Sequence, residues 1–304
     1  MSLPRAQVII NPVAGANGTR RKWPRISRLL EQAGLSFDFQ YTEGVGHAIE
    51  LARAAASNGY RLLVAVGGDG TVSEVANGIL LADNRDGTAL GIISTGTGSD
   101  FVRSAGISRD YVTACSCLAT AKRMLIDVGV VEYQNDGKTE RRFFINSAGV
   151  GFDAAVARIS DRLPKYLGGT ISYLVGLLRT LVGYRNKSVA LEIDGRQETK
   201  RILSVVVANG SYFGGGMRVV PQADISDGLL DVLTIGDMGK IELLRAFPTI
   251  YKGTHINHPK VSLERATIVT VGSPDKLLVH ADGEFLGQGP VSFRLMPQAL
   301  AIAV

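Results

Sequence analysis

The fold of the first half of the chain is decided by Leu62-Leu63-Val64-Ala65-Val66-Gly67-Gly68-Asp69-Gly70-Thr71-Val72-Ser73-Glu74. Its apolar start predicts a buried strand, its glycines predict a turn, and the residues after Thr71 have a helical pattern. A strand that passes through a glycine turn into a helix directs backbone N–H groups at one point, where an anion can be held. Asp69 and Thr71 could bind Mg²⁺-associated groups or cap the helix. An ordinary tight turn is the alternative when these residues are considered alone.

Short apolar strands alternate with helical patterns on both sides of this stretch. The predicted strands cover residues 7–11, 37–41, 62–66 and 90–94, and the predicted helices surround Trp23 and cover residues 47–59 and 72–80. Such alternation predicts a parallel sheet with helices on both faces. We therefore predict an α/β nucleotide-binding domain over residues 1–127.

The pattern changes to strands and tight turns after about Asp127. Asn135-Asp136-Gly137 and Asp194-Gly195 predict hairpins, because both contain Asp-Gly between β-rich runs. Helical patterns interrupt the strands at residues 171–182 and 241–251, and Pro248 predicts an early end or a kink in the second. We predict a mainly antiparallel β-sandwich domain over residues 128–297. A return of residues 298–304 to the first domain is left open.

Composition narrows the class of protein. The chain has 304 residues, of which 45% are hydrophobic and 20% charged, as expected for a globular protein of two domains. The apolar stretch 166–182 contains Arg179 and is shorter than the roughly 20 apolar residues of a membrane-spanning helix. No secretion signal is recognised, so we expect a cytoplasmic protein.

The positive charge is concentrated in one segment. Residues 158–187 contain six basic residues and one acid, giving 6 − 1 = +5, which equals the net charge of the whole chain. A cationic, apolar segment favours contact with an anionic membrane over binding of nucleic acid. Apolar side chains on one helical face support peripheral attachment, with ordinary core packing as the alternative: Ile171, Leu174, Val175, Leu178, Leu181 and Val182.

Two more glycine-bearing loops follow predicted strands. Asn11-Pro12-Val13-Ala14-Gly15 follows the first strand, and Thr95-Gly96-Thr97-Gly98-Ser99-Asp100-Phe101 follows the strand that ends at Ser94. The carboxyl ends of parallel strands meet at one edge of a sheet, so these loops are expected to form one nucleotide site. Neither a P-loop lysine motif nor Gly-x-Gly-x-x-Gly is present.

The ordered motifs Asn-Pro-x-x-Gly, Gly-Gly-Asp-Gly-Thr, Gly-Thr-x-x-Asp-Phe, Asp-Gly-Leu-Leu-Asp and Asp-Gly-Glu resemble the diacylglycerol kinase catalytic-domain family of soluble bacterial lipid kinases, which is similar to sphingosine kinases. The resemblance covers almost the whole chain. It implies an NAD kinase/phosphofructokinase-like first domain. One departure is Ser99, where the family usually has asparagine, so that a contact of this side chain is expected to be lost or water-mediated.

This resemblance also implies ATP as co-substrate and Mg²⁺ as cofactor. Asp100, Arg103 and Asp127 would belong to the polar network around phosphate and Mg²⁺. The residues expected to line the ATP site are Asn11, Pro12, Val13, Ala14, Gly15, Thr42, Gly67, Gly68, Asp69, Gly70, Thr71, Val72, Ser73 and Thr97.

Two acidic turns carry the remaining predictions. By itself, Asp282-Gly283-Glu284 reads as a solvated hairpin turn, but the resemblance makes Asp282 the proton acceptor and Glu284 an aid to metal placement or orientation. The loop from Asp224 to Asp231 reads as a polar turn. There the resemblance implies a structural Mg²⁺ site formed by Asp224, Asp227 and the carbonyl of Leu229.

The sequence thus predicts an ATP-dependent lipid kinase that phosphorylates a lipid hydroxyl at the membrane surface, with diacylglycerol as the first guess. An NAD kinase is the nearest alternative, because it shares the Gly-Gly-Asp-Gly-Thr loop and the two-domain plan. A non-catalytic lipid- or nucleotide-binding module on the same scaffold is a second alternative. The acceptor lipid and a homodimeric state are left open.

Overall fold

The computed structural model describes residues 6–160 and 169–304. They divide into two compact units. The first contains residues 6–126 and 298–304, and the second contains residues 127–160 and 170–297.

The sheet of the first unit contains the parallel strands β2-β1-β3-β4, which are neighbours in that order. They are β1 (Ala6–Ile10), β2 (Phe37–Tyr41), β3 (Leu62–Gly67) and β4 (Ala89–Ser94). The helices are α1 (Ala14–Gln32), α2 (His47–Ser57), α3 (Asp69–Leu80), α4 (Asp100–Ser104) and α5 (Tyr111–Leu118). The predicted alternation of strands and helices is therefore confirmed.

Both faces of this sheet are covered. Trp23, Ile26 and Leu30 of α1 pack with α5 against the side chains of β1, β3 and β4 that point to one face. Ile9 and Leu63 point to the opposite face by strand alternation and are also fully buried. This burial explains why β1, β3 and β4 read as largely apolar runs in the sequence, unlike the more exposed β2.

The second unit is an antiparallel β-sandwich, as predicted. Its strands are β5 (Arg123–Asn135, which begins in the first unit), β6 (Lys138–Phe144), β7 (Ser147–Gly151), β8 (Lys187–Ile193), β9 (Arg196–Ala208), β10 (Leu230–Gly236), β11 (Val261–Ala266), β12 (Ile268–Gly272), β13 (Leu278–Ala281) and β14 (Glu284–Ala303). Strands pair in the order β11-β10-β9-β7-β13-β14, β12 pairs with β14 and β8, and β8 pairs with β9. The helices are α6 (Phe152–Ser160), α7 (Gly169–Gly183) and α8 (Lys240–Ile250), with a short 3₁₀ helix at Thr254–Asn257.

Both predicted Asp-Gly hairpins are confirmed. Asp136-Gly137 joins β5 to β6, and Asp194-Gly195 joins β8 to β9. All four residues have positive φ, between 44° and 83°, which is the backbone of the type I′ turn favoured in two-residue hairpins. Pro248 lies inside α8, which continues to Ile250, so the early end predicted from this proline is not observed.

Helix α7 corrects one prediction about the apolar face. Leu177 and Leu181 pack with α6 and α8 in a core cluster, whereas Leu178 and Val182 are exposed. Leu181 therefore belongs to the core and does not share a solvent-facing stripe with Leu178 and Val182. The side chains of Ile171 and Leu174 lie outside the part of the structure that is described.

The end of β14 belongs to the first unit. Gln298 has a positive φ of 49°, and Ala301 and Ile302 then pair in parallel with β4. Lys122 and Val304 exchange two backbone hydrogen bonds of 2.9 Å. None of the helices in residues 6–160 and 169–304 has the length and apolarity needed to cross a membrane.

Candidate active site

Glycine-rich loops follow the strands of the first unit at one edge of its sheet. Asn11 follows β1, Thr42 follows β2, Gly68 follows β3 and Thr95 follows β4. Because the strands are parallel and in register, their carboxyl ends lie side by side. The structure therefore brings the predicted nucleotide loops together.

Hydrogen bonds connect these loops to one another. The Nδ2 of Asn11 donates to Oγ1 of Thr71 over 3.0 Å. The backbone N–H of Thr95 donates to the carbonyl of Gly67 over 2.8 Å, and that of Thr42 donates to Ile10 over 2.8 Å. The loop after each strand is thus fixed to a neighbouring strand or loop.

Glycine is required where these loops touch. Gly15 has a φ of 59°, and a Cβ on it would lie 2.3 Å from the carbonyl oxygen of Thr95. A Cβ on Gly96 would lie 2.6 Å from Cα of Gly68. Both distances are too short for any side chain, so the three loops pack backbone against backbone. Because no side chain stands between the loops and a ligand, their backbone N–H groups can approach a molecule with many acceptor oxygens, such as a phosphate chain.

Asp69 caps a helix, but not the helix that follows it. Its Oδ1 accepts the backbone N–H of Phe101 over 3.2 Å, and the N–H groups of Ser99 and Asp100 also contact this carboxylate. It therefore caps α4 and joins the Gly-Gly-Asp-Gly-Thr loop to the loop after β4. Burial raises the pKa of Asp69, although these backbone hydrogen bonds act in the opposite direction.

Ser99 has a contact that the sequence did not predict. Its hydroxyl lies 2.6 Å from the hydroxyl of Ser94, and its φ is 56°. Asparagine is enriched at positive φ, which gives a backbone reason for the asparagine usual in the family at this position. In this chain the short serine side chain bonds within its own loop.

The other predicted nucleotide residues differ in exposure. Val13 and Thr97 are exposed, whereas the side chains of Val72 and Ser73 are buried, so that only their backbone can face a ligand. Arg103 has a buried Nε that finds no hydrogen-bond partner within the described ranges. Glu74, which the sequence did not single out, accepts the N–H groups of Gly46 and Ala48 and so holds the segment after Thr42.

In the second unit, Asp282 lies in a hairpin turn between β13 and β14. Asp282 and Gly283 have φ values of 47° and 83°, so this turn repeats the geometry of the two ordinary Asp-Gly hairpins. Its carboxylate accepts three backbone N–H groups, from Ile145 (3.1 Å), Asn146 (3.0 Å) and Ser147 (3.1 Å). These bonds fix the orientation of both carboxylate oxygens.

Glu284 is engaged by an arginine. Its Oε2 lies 2.9 Å from Nη2 of Arg142, which is mostly buried. The sequence predicted a role of Glu284 in metal placement or orientation, and the structure pairs it with this cation. Arg142 itself was not identified, because nothing in its local sequence distinguishes it from other strand arginines.

Asp127 connects the acidic loop to the segment that holds Asp282. Its Oδ2 accepts the N–H of Gly228 over 2.7 Å, and its own N–H donates to Ile225 over 2.7 Å. Nδ2 of Asn209 donates to the carbonyls of both Asp127 (2.9 Å) and Ile145 (2.8 Å). The role of Asp127 in a network with Asp100 and Arg103 stays a prediction.

The acidic loop offers oxygen atoms but no cluster of metal-binding side chains. Oδ1 of Asp224 accepts from Ser226, and Oδ1 of Asp227 accepts the N–H of Leu229. Oδ2 of Asp227 is 3.7 Å from Arg265. Within the described residues, no three His, Cys, Asp or Glu side chains converge as a metal site. Carboxylate and carbonyl oxygens are the ligands that Mg²⁺ takes, and a site formed by Asp224, Asp227 and the Leu229 carbonyl stays a prediction.

Comparison with known proteins identifies the family. Residues 5–131 match the family "Diacylglycerol kinase catalytic domain". Residues 146–304 match the family "YegS C-terminal NAD kinase beta sandwich-like domain". A diacylglycerol kinase of Bacillus subtilis (strain 168) is 31% identical over 293 residues, which cover 96% of this chain and 93% of that protein. The chain belongs to the diacylglycerol kinase family.

Further relatives agree with this membership. A diacylglycerol kinase of Staphylococcus carnosus (strain TM300) is 29% identical over 98% of this chain and 94% of that protein. The crystal structure of a diacylglycerol kinase from Bacillus anthracis strain Sterne shares the fold, with a TM-score of 0.74 and 21% sequence identity. The match covers 100% of this chain and 97% of that chain. The chain is a lipid kinase, and the NAD kinase alternative left open by the Gly-Gly-Asp-Gly-Thr loop is not supported.

A buried polar network lies next to the Asp282 turn of this kinase. Nε2 of His280 lies 2.9 Å from Oδ2 of Asp153, and the hydroxyl of Ser204 donates to Oδ1 of Asp153 over 2.9 Å. The network ties β13, which leads into Asp282, to α6 and β9. A Cβ on Gly149 would lie 2.3 Å from Oδ2 of Asp153, so glycine is needed there.

Proposed function

We propose that this lipid kinase transfers the γ-phosphoryl group of ATP to a hydroxyl of diacylglycerol. Its relatives in Bacillus subtilis and Staphylococcus carnosus are diacylglycerol kinases, and the glycine loops of the first unit offer backbone donors suited to a phosphate chain. Asp282 of the second unit is the proposed proton acceptor. The observation that carries this proposal is the carboxylate of Asp282, which three backbone N–H groups hold in one orientation.

Phosphorylation of an alcohol explains why a fixed carboxylate is needed. The hydroxyl proton must leave as the oxygen attacks phosphorus, and a carboxylate within hydrogen-bond reach can accept it. The arginine at Glu284 and the His280–Asp153 pair support the turn on either side. Asp282 therefore acts from a rigid support, with little reorganisation during the reaction.

Magnesium is the proposed cofactor. When bound, Mg²⁺ shields the negative charge of the transferring phosphate. Asp100, Arg103 and Asp127 are the proposed polar partners of the phosphate and its metal. The loop of Asp224 and Asp227 is proposed as a separate structural Mg²⁺ site, with the Leu229 carbonyl as a third ligand.

The decisive experiment compares Asp282→Asn with Asp194→Asn. Asp194 occupies the same kind of turn, and its carboxylate also accepts backbone N–H groups, from Thr267 and Ile268. Both substitutions remove one anchoring carboxylate, but only Asp282 is proposed to take the proton. We expect kcat to fall roughly 10²- to 10⁴-fold for Asp282→Asn, as for loss of a general base, and to change little for Asp194→Asn.

The assay uses radiolabelled ATP with diacylglycerol, NAD and a total lipid extract offered in parallel, and the lipid products are separated by thin-layer chromatography. Calorimetry should show that Asp282→Asn retains ATP binding, and a thermal unfolding curve like that of the unmodified protein shows that the second unit of the variant is folded. Appreciable turnover by this folded variant would remove Asp282 from the proposed role. A labelled product in the lipid extract but not with diacylglycerol would change the acceptor and leave the lipid kinase intact.

The segment 158–187 is the proposed contact with an anionic membrane surface. Arg162 and Lys165 lie outside the described residues. Among those described, Leu178 and Val182 of α7 are exposed apolar side chains close in sequence to Arg179 and Arg185. An exposed apolar surface beside cations suits a helix that lies in the interface of a bilayer.

A further inference from the structure

Asn209 follows β9 and is almost completely buried, with 1% of its surface exposed. Its side-chain Nδ2 donates two hydrogen bonds, to the carbonyl of Asp127 over 2.9 Å and to that of Ile145 over 2.8 Å. Both partners are carbonyl oxygens, so the amide cannot turn over, because its Oδ1 would then face two other oxygens. The orientation of the Asn209 side chain is therefore fixed.

The other end of this amide has no partner. The Oδ1 of Asn209 is buried and accepts no hydrogen bond from the described residues. A buried acceptor without a donor lowers stability, whereas an apolar side chain of similar shape would avoid that cost. The two N–H groups of the amide thus give the reason for an asparagine at this position.

The bond to Ile145 reaches a peptide group that holds Asp282. The carbonyl of Ile145 and the N–H of Asn146 belong to one planar peptide group. Asn209 donates to the carbonyl of this group, and its N–H donates to Oδ1 of Asp282 over 3.0 Å. One peptide group therefore connects the side chain of Asn209 to the carboxylate of Asp282.

The next peptide group is held in the same way. Its carbonyl, of Asn146, accepts the backbone N–H groups of Asn209 and Gly210, both over 2.8 Å. Its N–H, of Ser147, donates to the same Oδ1 of Asp282 over 3.1 Å. Asn209 and Gly210 thus hold the carbonyls of both peptide groups whose N–H groups meet on this oxygen.

Hydrogen bonds in such a chain strengthen one another. A donor at the carbonyl of a peptide group polarises that group and makes its N–H a better donor, and this effect is larger in a buried site of low dielectric constant. The bonds to the carbonyls also fix the direction of the N–H groups, and with it the position of the carboxylate. A proton acceptor must lie within hydrogen-bond reach of the substrate hydroxyl, and small displacements of a reacting group slow the reaction strongly.

We propose that Asn209 is a positioning residue for phosphoryl transfer, which acts by holding the peptide groups that orient Asp282. This inference rests on the proposed role of Asp282 as the proton acceptor. Asn209 acts through Asp282 and not by contact with the reacting atoms. Its replacement should therefore lower kcat only while the carboxylate of Asp282 is present.

A double-mutant cycle in the radiolabelled ATP assay tests the inference. Asn209→Ala should lower kcat roughly 10- to 100-fold when Asp282 is present, as expected for a displaced catalytic group. In an Asp282→Asn background the same change should lower kcat less than about threefold, because the carboxylate that Asn209 positions is already gone.

His255→Ala is the matched control for loss of a buried polar side chain. Like Asn209, His255 lies in the second unit, bonds to a backbone carbonyl, that of Val219 over 2.8 Å, and has one buried atom without a partner in the described structure. Its replacement should lower the midpoint of thermal unfolding and leave kcat nearly unchanged. An equal fall of kcat in His255→Ala would assign the effect of Asn209→Ala to lost stability and overturn the inference.

The outcomes of the cycle separate this inference from the proposed function. If Asp282→Asn alone leaves kcat unchanged, Asp282 is not the proton acceptor and both proposals fail. If Asp282→Asn lowers kcat but Asn209→Ala has no effect, or has the same effect in both backgrounds, only the inference about Asn209 fails.

A milder variant covers the case in which Asn209→Ala does not fold. Asn209→Ser has one hydroxyl donor in place of two N–H groups, so kcat should fall by an intermediate factor. Nuclear magnetic resonance of the isotope-labelled protein reports on the peptide group directly. The amide proton of Asn146 should move to lower chemical shift in Asn209→Ser but not in His255→Ala, because weaker polarisation weakens its bond to Asp282. An unchanged resonance of Asn146 in Asn209→Ser would contradict the proposal.

Discussion

Gly15 and Gly18 differ by only three positions but have different surroundings. A Cβ on Gly15 would collide with the carbonyl of Thr95, and its φ is positive, whereas a Cβ on Gly18 meets no atom within 4 Å. We expect Gly15→Ala to separate the loop after β1 from the loop after β4 and to raise KM for ATP about tenfold or more. Steady-state kinetics at saturating lipid measure this effect.

Gly18→Ala is the matched control, because it adds the same methyl group three positions further on, where the backbone of α1 is helical. It should leave KM unchanged and stabilise the protein by up to about 1 kcal/mol, since alanine is the better helix former. Equal effects of the two substitutions on KM would show that contact between the loops is not needed for ATP binding.

His255 predicts a dependence of stability on pH. It is buried, its Nε2 lies 2.8 Å from the carbonyl of Val219, and its Nδ1 has no partner in the described structure. Burial lowers the pKa of His255 below its ordinary value of 6.5, although the bond to Val219 acts in the opposite direction. Below about pH 6.5 the unfolded chain therefore binds a proton that the folded chain does not.

This contribution to stability is fully present above pH 6.5 and is lost as the pH falls from 6.5 towards the pKa of the folded state. The slope is at most about 1.4 kcal/mol per pH unit, which corresponds to one proton. Urea denaturation between pH 5 and pH 8 should show it, and His255→Gln should reduce it. His258→Gln, which removes the neighbouring, partly exposed histidine that lies 3.5 Å from Glu242, serves as the control. A slope that persists unchanged in His255→Gln would contradict the assignment.

At the scale of single residues, the sequence identified the important residues better than it predicted their contacts. The sequence left two roles open for Asp69, metal binding and capping of its own helix. In the structure it caps α4 instead, because the loop after β4 lies against it. The three turns share the Asp-Gly pair and positive φ at both of its residues. Only the distant segments that their carboxylates touch distinguish Asp282 from Asp194, and local sequence does not encode such contacts.

At the scale of elements, the acidic loop between β9 and β10 gives a prediction about metal. If Mg²⁺ binds at Asp224 and Asp227, it stabilises the folded protein by mass action, by about 1.4 kcal/mol at a concentration ten times Kd. Thermal unfolding with millimolar Mg²⁺ or with EDTA should therefore differ by several degrees. Asp224→Asn/Asp227→Asn should abolish the difference. Asp136→Asn, which changes an acid in a hairpin turn elsewhere in the unit, should preserve it.

Periodicity predicted the elements well where one face is buried. Strands β3 and β4 are almost entirely apolar because helices cover both faces of the sheet there, and this pattern needs no knowledge of the partners. Helix α7 was less predictable. Leu177 and Leu181 turn towards α6 and α8 while Leu178 and Val182 remain exposed, and the choice between these faces depends on elements that lie far away in sequence.

For the whole molecule, the fold class followed from the change of rhythm near Asp127, since parallel α/β and antiparallel β patterns differ in period. The destination of the last strand did not follow from the sequence. A run such as residues 298–304 can add to either sheet, and its pairing with β4 is fixed by a turn at Gln298 and by bonds to Lys122.

The charge distribution of the whole molecule leads to a prediction about membranes. The net charge of +5 equals that of residues 158–187, and Val182, within this segment, is 78% exposed. Burying valine in the interface contributes about 1.5 kcal/mol, so Val182→Asp should weaken sedimentation with phosphatidylglycerol vesicles about tenfold. Val45→Asp is the control, because Val45 is 72% exposed in the first unit and lies far from this segment in sequence.

Raising the salt concentration from 0.1 to 0.5 M should weaken binding by both variants and by the unmodified protein. Equal loss in the two variants would assign membrane contact to general charge and not to the end of α7.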